Sequence, residues 1–178
     1  MLKSFSIPAV AAIVMLVGST MFAAQSPAPA PTGTQGALVK DVGNLSDKFV
    51  GLARVMAGKY DWKPSASVRS VADVLNLIIG ENNMLAGLLT GAGGGGMGGA
   101  KPITDPAAMQ EALRTSYAAV SKALSGLSAA DLNTPVKLFG QDTTKQGAVL
   151  MLLMDQHEHL GQSIAYARSN GVVPPWSK

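Results

Sequence analysis

The segment Asp155-Gln-His-Glu-His-Leu-Gly-Gln162 (DQHEHLGQ) holds both histidines of the chain beside two carboxylates. Imidazole and carboxylate at this density are what a divalent-metal site draws on. The segment lies inside a helical pattern running from about Thr143 or Thr144 to Ser169, where Asn170-Gly171 supplies a C-cap and Pro174-Pro175 prevents continuation. Helical geometry then sorts the candidates. Residues four apart share a face, whereas residues two apart diverge by roughly 200°. His157 and His159 therefore do not reach one ion from an undistorted helix, while Asp155 and His159 do. His157-Glu158 opens the zinc-protease pattern HExxH, but Gly161 stands where its second histidine is needed. A competent site needs a third ligand from another helix. The alternative is a polar helix turn in which His159 bonds a neighbour and no metal is involved.

Working toward the N-terminus, three more segments show helical periodicity between breakers. The first spans about Leu38 to Ala57, with Val39, Val42, Leu45, Phe49, Leu52, Val55 and Met56 repeating at three and four, and Gly58 ends it. The second spans about Val71 to Leu89, with Ser70 as N-cap and Asp73 completing a capping-box pattern. It is apolar on most faces and so is expected to be the most buried. Glu81 lies in its middle; an isolated buried carboxylate is costly and must find a partner or a cavity. The third opens at Asp105-Pro106 and runs through Met109, Leu113, Tyr117, Val120 and Leu124 to about Gly126. A short turn at Ser128–Asp131 and an irregular stretch, Asn133–Asp142, lead to the last helix. The expected architecture is all-α, a four-helix bundle with a long connection between the third and fourth helices.

Composition and charge narrow the function classes. Apolar residues make up 47% of the 178, enough for a folded domain with a real core, and aromatics only 5%, which suits helix packing. The net charge of +3 and pI near 9.3 come from basic residues scattered among acids, with no basic run, so nucleic-acid binding is not expected. The absence of cysteine excludes disulfides, thiolate metal sites and a thiol nucleophile. Gly91–Gly99 is glycine-rich but lacks the Gly-Lys-Ser/Thr ending and the preceding strand of a phosphate loop, so it reads as a helix–helix connection. No Gly-x-Ser-x-Gly elbow is present.

Lys3, the apolar run Ile7–Val17 and the small residues near Ala24 read as a signal peptide over residues 1–24, or as an uncleaved N-terminal anchor. Either places the domain outside the cytoplasm, in the periplasm or another extracytoplasmic space, with no membrane contact beyond the leader. Residues 25–36 form a Pro-rich spacer, and the folded domain spans 37–178.

Two stretches carry a family resemblance. Asp61-Trp-Lys-Pro-Ser-Ala-Ser-Val-Arg-Ser-Val-Ala-Asp-Val-Leu75 resembles the entry to the second helix of DinB-like proteins, with its Trp-x-Pro and Arg-Ser-Val elements. His157-Glu-His-Leu-Gly-Gln162, with Tyr166-Ala-Arg168 and Asn170-Gly-Val-Val-Pro-Pro175, is similar to the last helix of the same DinB/YfiT-type superfamily. The resemblance covers about residues 37–176. It implies a four-helix bundle, often a homodimer, with a divalent metal near its middle held by three histidines. Members with known activity include thiol-dependent transferases and isomerases. His159 matches the second histidine of the family's i, i+4 pair, the first falls on Asp155, and the second-helix histidine falls at or beside Leu77.

The site implied is accordingly a degenerate one: His159, Asp155 and Glu81 as metal ligands, with His157, Asn76 and Gln162 as outer-shell residues or possible ligands. The cofactor is one divalent ion (Zn, Ni or Fe) or none. Three functions stay open: an exported bundle with a degenerate site and no assignable reaction, a metal-dependent transferase or hydrolase acting at Asp155 and His159, and a dimeric module binding a small molecule in the bundle cavity. The methionines would suit an adaptable cavity of that kind, although three of the nine, the initiator included, lie in the leader, and Met in helices is usually core.

Overall fold

The structure is a computed structural model and describes residues 31–93 and 101–177. The leader expected over residues 1–24, residues 25–30 of the spacer and residues 94–99 of the glycine-rich connection lie outside the described residues. Four long helices form: α1 (Gly33–Val55), α2 (Val71–Thr90), α3 (Pro106–Ser125) and α5 (Lys145–Ser169), with one short turn of helix, α4 (Ala129–Leu132), between the last two. Both α3 and α5 pack against α1 and α2, which places α1 opposite α2 and α3 opposite α5. The core is the apolar seam of all four, with Leu45, Phe49, Ile78, Met109, Leu113 and Val149 among its fully buried side chains. No helix among the described residues is long and apolar enough to cross a membrane.

The boundaries follow local chemistry. At Ser70 the capping box forms as the spacing predicts: the hydroxyl accepts from Asp73 N, and the Asp73 carboxylate accepts from Ser70 N. The next two N–H groups, of Val71 and Ala72, donate to the carbonyls of Trp62 and Tyr60. The loop before α2 therefore folds back over the helix end and satisfies donors the helix itself leaves free. Asp105 caps α3, with Pro106 at its first position.

Two expectations change. Helix α1 begins at Gly33, inside the segment read as spacer, because Gln35 Nε2 donates to the carbonyls of Leu124 and Leu127 (2.7 Å each). That first turn caps the C-terminal end of α3, so it belongs to the bundle. The stretch read as irregular is a β-hairpin, β1 (Pro135–Leu138) paired antiparallel with β2 (Gln141–Thr144). Its two-residue turn needs positive φ at both central residues, and Phe139 (50°) and Gly140 (80°) provide it. Phenylalanine is a poor residue for that conformation, which is why the turn does not announce itself in the sequence. The hairpin buries Leu138 and leads straight into Thr144, the N-cap of α5.

Phe49 is fully buried and its ring stacks against Tyr117, with centroids 6.3 Å apart. Phe49→Ala should lower unfolding free energy by about 3–5 kcal/mol in urea titration, the usual cost of emptying an aromatic core position.

Candidate metal centre

Three donors converge where α2 meets α5. Glu81 of α2 and Asp155 and His159 of α5 each offer one ligand atom, all within 4.8 Å of one another. The Asp155–His159 pair has the i, i+4 spacing on α5, with Oδ2 and Nε2 3.6 Å apart. Glu81 is buried; the Asp155 side chain is 44% exposed and that of His159 17%, so the cluster opens to solvent on the Asp155 side. Position 77, where the resemblance places a histidine, is Leu, and the third donor comes from Glu81 one turn further along α2.

The hydrogen bonds around His159 fix its tautomer. Tyr166 Oη lies 3.2 Å from the Arg69 carbonyl, which can only accept, so the hydroxyl donates there. Its oxygen then accepts from Gln162 Nε2 (2.8 Å), which turns Gln162 Oε1 toward His159 Nδ1, also 2.8 Å away. An amide oxygen cannot donate, so Nδ1 carries the hydrogen and Nε2 of the neutral ring presents its lone pair. Nε2 is the nitrogen on the side of the Asp155 carboxylate, 3.6 Å away. Trp62 packs edge-on against Tyr166, centroids 5.2 Å apart, and holds this end of the chain in place.

A second chain crosses the core beside Glu81. Ser116 Oγ donates to the Leu113 carbonyl and accepts from Asn82 Nδ2; Asn82 Oδ1 accepts from Gln156 Nε2; Gln156 Oε1 accepts from Tyr117 Oη. Asn82, Ser116, Tyr117 and Gln156 are all buried. Burial holds the Tyr117 hydroxyl well above its ordinary pKa, so it remains a donor.

Glu81 is the strained member. Burial first, and then the neighbouring Asp155 carboxylate, push its pKa from an ordinary 4.5 up to about 8, with Gln156 and Arg69 acting in the opposite direction. Its Oε2 is buried and has no hydrogen-bond partner. A carboxylate oxygen of Glu81, one of Asp155 and an imidazole nitrogen of His159 thus converge on one small space, and one Glu81 oxygen is left without a partner. The donor set fits a divalent cation bound by one nitrogen and carboxylate oxygens.

The remaining candidates are distributed differently. Gln162 is an outer-shell partner of the His159 imidazole. His157 is turned away from the cluster, as residues two apart on a helix must be, and its Nε2 meets Asp41 of α1 at 2.9 Å. Asn76 is also not at the site: its amide bonds both the N–H and the carbonyl of Ile103 (2.9 Å each) and so staples the segment before α3 to α2. A Cβ at Gly161 would meet open space, so close packing gives no reason for glycine there. Residues not singled out from the sequence are Gln156, Asn82 and Ser116. Their one signal is polarity at core-facing positions, such as Gln156 in the register of Leu152, Leu153 and Leu160. A cleft of about 670 Å³ between the later turns of α2 and α3 is lined by Leu89, Ala123, Leu127 and Lys145, among others, and by none of the three donors.

A helical bundle with this donor cluster facing its interior has the fold of the DinB-like proteins. A DinB-like protein of Bacillus cereus matches with a TM-score of 0.68 at 16% identity, over 79% of this chain and 95% of that one. The DinB-like protein YjoA of Bacillus subtilis matches with a TM-score of 0.61, also at 16% identity, over 76% of this chain and 92% of that one. No family model and no curated protein matches the sequence.

The raised Glu81 pKa gives the metal-free protein a defined pH response. Below about 4.5 the carboxyl is neutral both folded and unfolded; between 4.5 and about 8 the unfolded chain gives up a proton that the folded one keeps. Stability should therefore fall as pH rises through that window. Thermal melts in chelator should show this fall in the wild type, and a flatter profile in Glu81→Gln.

Proposed function

We propose that this chain is an exported DinB-like protein that binds one divalent cation through Glu81, Asp155 and His159 and works as a metal-dependent transferase or hydrolase. The observation that carries the reading is the His159 tautomer: Nε2 offers a lone pair into a space already bordered by two carboxylates, one with an unpartnered oxygen. Three acceptors facing one another repel unless a proton or a metal ion lies between them. Two carboxylates and one imidazole suit Mn, Fe or Zn better than a softer ion. A divalent ion supplies Lewis acidity, polarising a substrate oxygen or making water a nucleophile near neutral pH. Among this chain's own residues, Gln162 orients the imidazole and raises its basicity, Asn82 and Tyr117 fix the Gln156 amide beside Glu81, and the exposed edge at Asp155 leaves a way in for substrate. Export rests on the sequence of residues 1–24 alone.

Elemental analysis of tag-free protein tests the centre. Near-stoichiometric metal is expected in the wild type and none in His159→Ala, while Gln162→Leu should weaken affinity by roughly 10–100-fold, as loss of an outer-shell partner does. Metal-free protein that does not gain melting temperature with Zn²⁺, Mn²⁺ or Fe²⁺ would remove the reading.

A homodimer belongs to the same proposal. Leu150, Met151 and Met154 are exposed by 41%, 44% and 66% along one outer face of α5, an apolar strip that supports self-association. Light scattering should give twice the monomer mass, and Met154→Lys should shift it toward monomer.

A further inference from the structure

The loop that enters α2 is fastened to the metal centre, and the function proposed above does not use it. The chain from His159 through Gln162 and Tyr166 ends on the backbone carbonyl of Arg69, so the position of Arg69 is tied to that of the imidazole. Arg69 lines two clefts. One, about 580 Å³, is walled by Ala66, Ser67, Val68, Arg69, Asp73 and Gln162 and so runs up to the direct partner of His159. The other, about 320 Å³, continues past Arg69 and Asp73 along α2 to Asn76, Leu77 and Lys101. The walls of the first are mostly polar, which favours a hydrated polar ligand over an apolar one.

The charges point the same way. Among the described residues Arg69 enters no ion pair, although Asp73 shares both clefts. The Asp73 carboxylate is already engaged by the Ser70 N–H in the capping box. A guanidinium outside any ion pair, on a residue that shares a cleft with the partner of His159, presents a fork that matches a carboxylate or phosphate.

Resting on the metal reading, we propose that the substrate of this centre is a small molecule bearing an oxyanion group, carboxylate or phosphate, which Arg69 holds in the cleft beside Gln162. Arg69 acts as a specificity-determining residue: it selects and orients the anionic end, while the Glu81–Asp155–His159 cluster takes the reacting end. No bond changes at Arg69.

The test uses tag-free protein loaded with Co²⁺, whose visible absorption reports ligands entering the centre, with calorimetry for affinity. Acetate, which has one carboxylate, is compared with succinate and glutarate, which have a second one free to reach Arg69. The wild type should bind a dicarboxylate at least about tenfold more tightly than acetate, the scale of one charge-assisted hydrogen bond. Arg69→Gln should bring the dicarboxylates down to the acetate level while cobalt affinity stays within about twofold, since Arg69 touches no ligand. Arg69→Lys should recover part of the difference. The unchanged cobalt spectrum of Arg69→Gln serves as the control for folding. Dicarboxylates that bind no better than acetate to cobalt-loaded wild type, or equally well to Arg69→Gln, would overturn the inference and leave the metal reading standing. Failure of the wild type to bind cobalt would overturn both.

Discussion

Burying Glu81 is the demand that the surrounding polar architecture answers. A carboxyl group in the most apolar helix of a bundle must be neutral, hydrogen-bonded or bound to a cation. Here it sits against Asp155, with one oxygen unpartnered, and burial keeps its proton on to well above the ordinary carboxylate range. A purely structural bundle would gain stability from an aliphatic residue at that position. The cost is concentrated at the one point where α2 faces the Asp155–His159 edge of α5.

Two hydrogen-bond chains give this point its order, and both end on a backbone carbonyl. Because a carbonyl only accepts, each chain has a single possible direction. The Leu113 carbonyl sets Ser116, Asn82, Gln156 and Tyr117 in sequence; the Arg69 carbonyl sets Tyr166, Gln162 and His159. The first fixes which atom of the Gln156 amide lies near Glu81. The second fixes which nitrogen of His159 faces the cluster. Networks of this kind, the first buried and the second part-buried, specify one arrangement of side chains, where an apolar seam alone would tolerate several.

Much of this was legible in the sequence because its signals are local. The capping box at Ser70, the Asp105-Pro106 start and the i, i+4 pairing of Asp155 with His159 each depend on residues within one helical turn. The hairpin was not legible, since its turn uses Phe139 at positive φ in place of the usual Asn-Gly or Asp-Gly pair. The start of α1 was hidden as well, because Gln35 is stabilised by carbonyls about ninety positions away. At the centre, Glu81 was marked by its chemistry alone, a charge among aliphatics. The job of Asn76 was hidden because its partner, Ile103, lies beyond the glycine-rich connection. The partnership of Arg69 with Tyr166 was equally hidden, since it links residues 97 apart.

That last link makes the Tyr166 hydroxyl a mechanical joint between the two halves of the centre. Were the Arg69 carbonyl to move away, the hydroxyl would lose its obligatory acceptor and be free to point its hydrogen at Gln162. The Gln162 amide could then rotate and offer N–H, not oxygen, to His159, and the imidazole would answer by moving its own hydrogen to the opposite nitrogen. The lone pair would leave the space beside Asp155. The loop that enters α2 thus also sets the readiness of the histidine, by direction of hydrogen bonding and without any change in the backbone of α5.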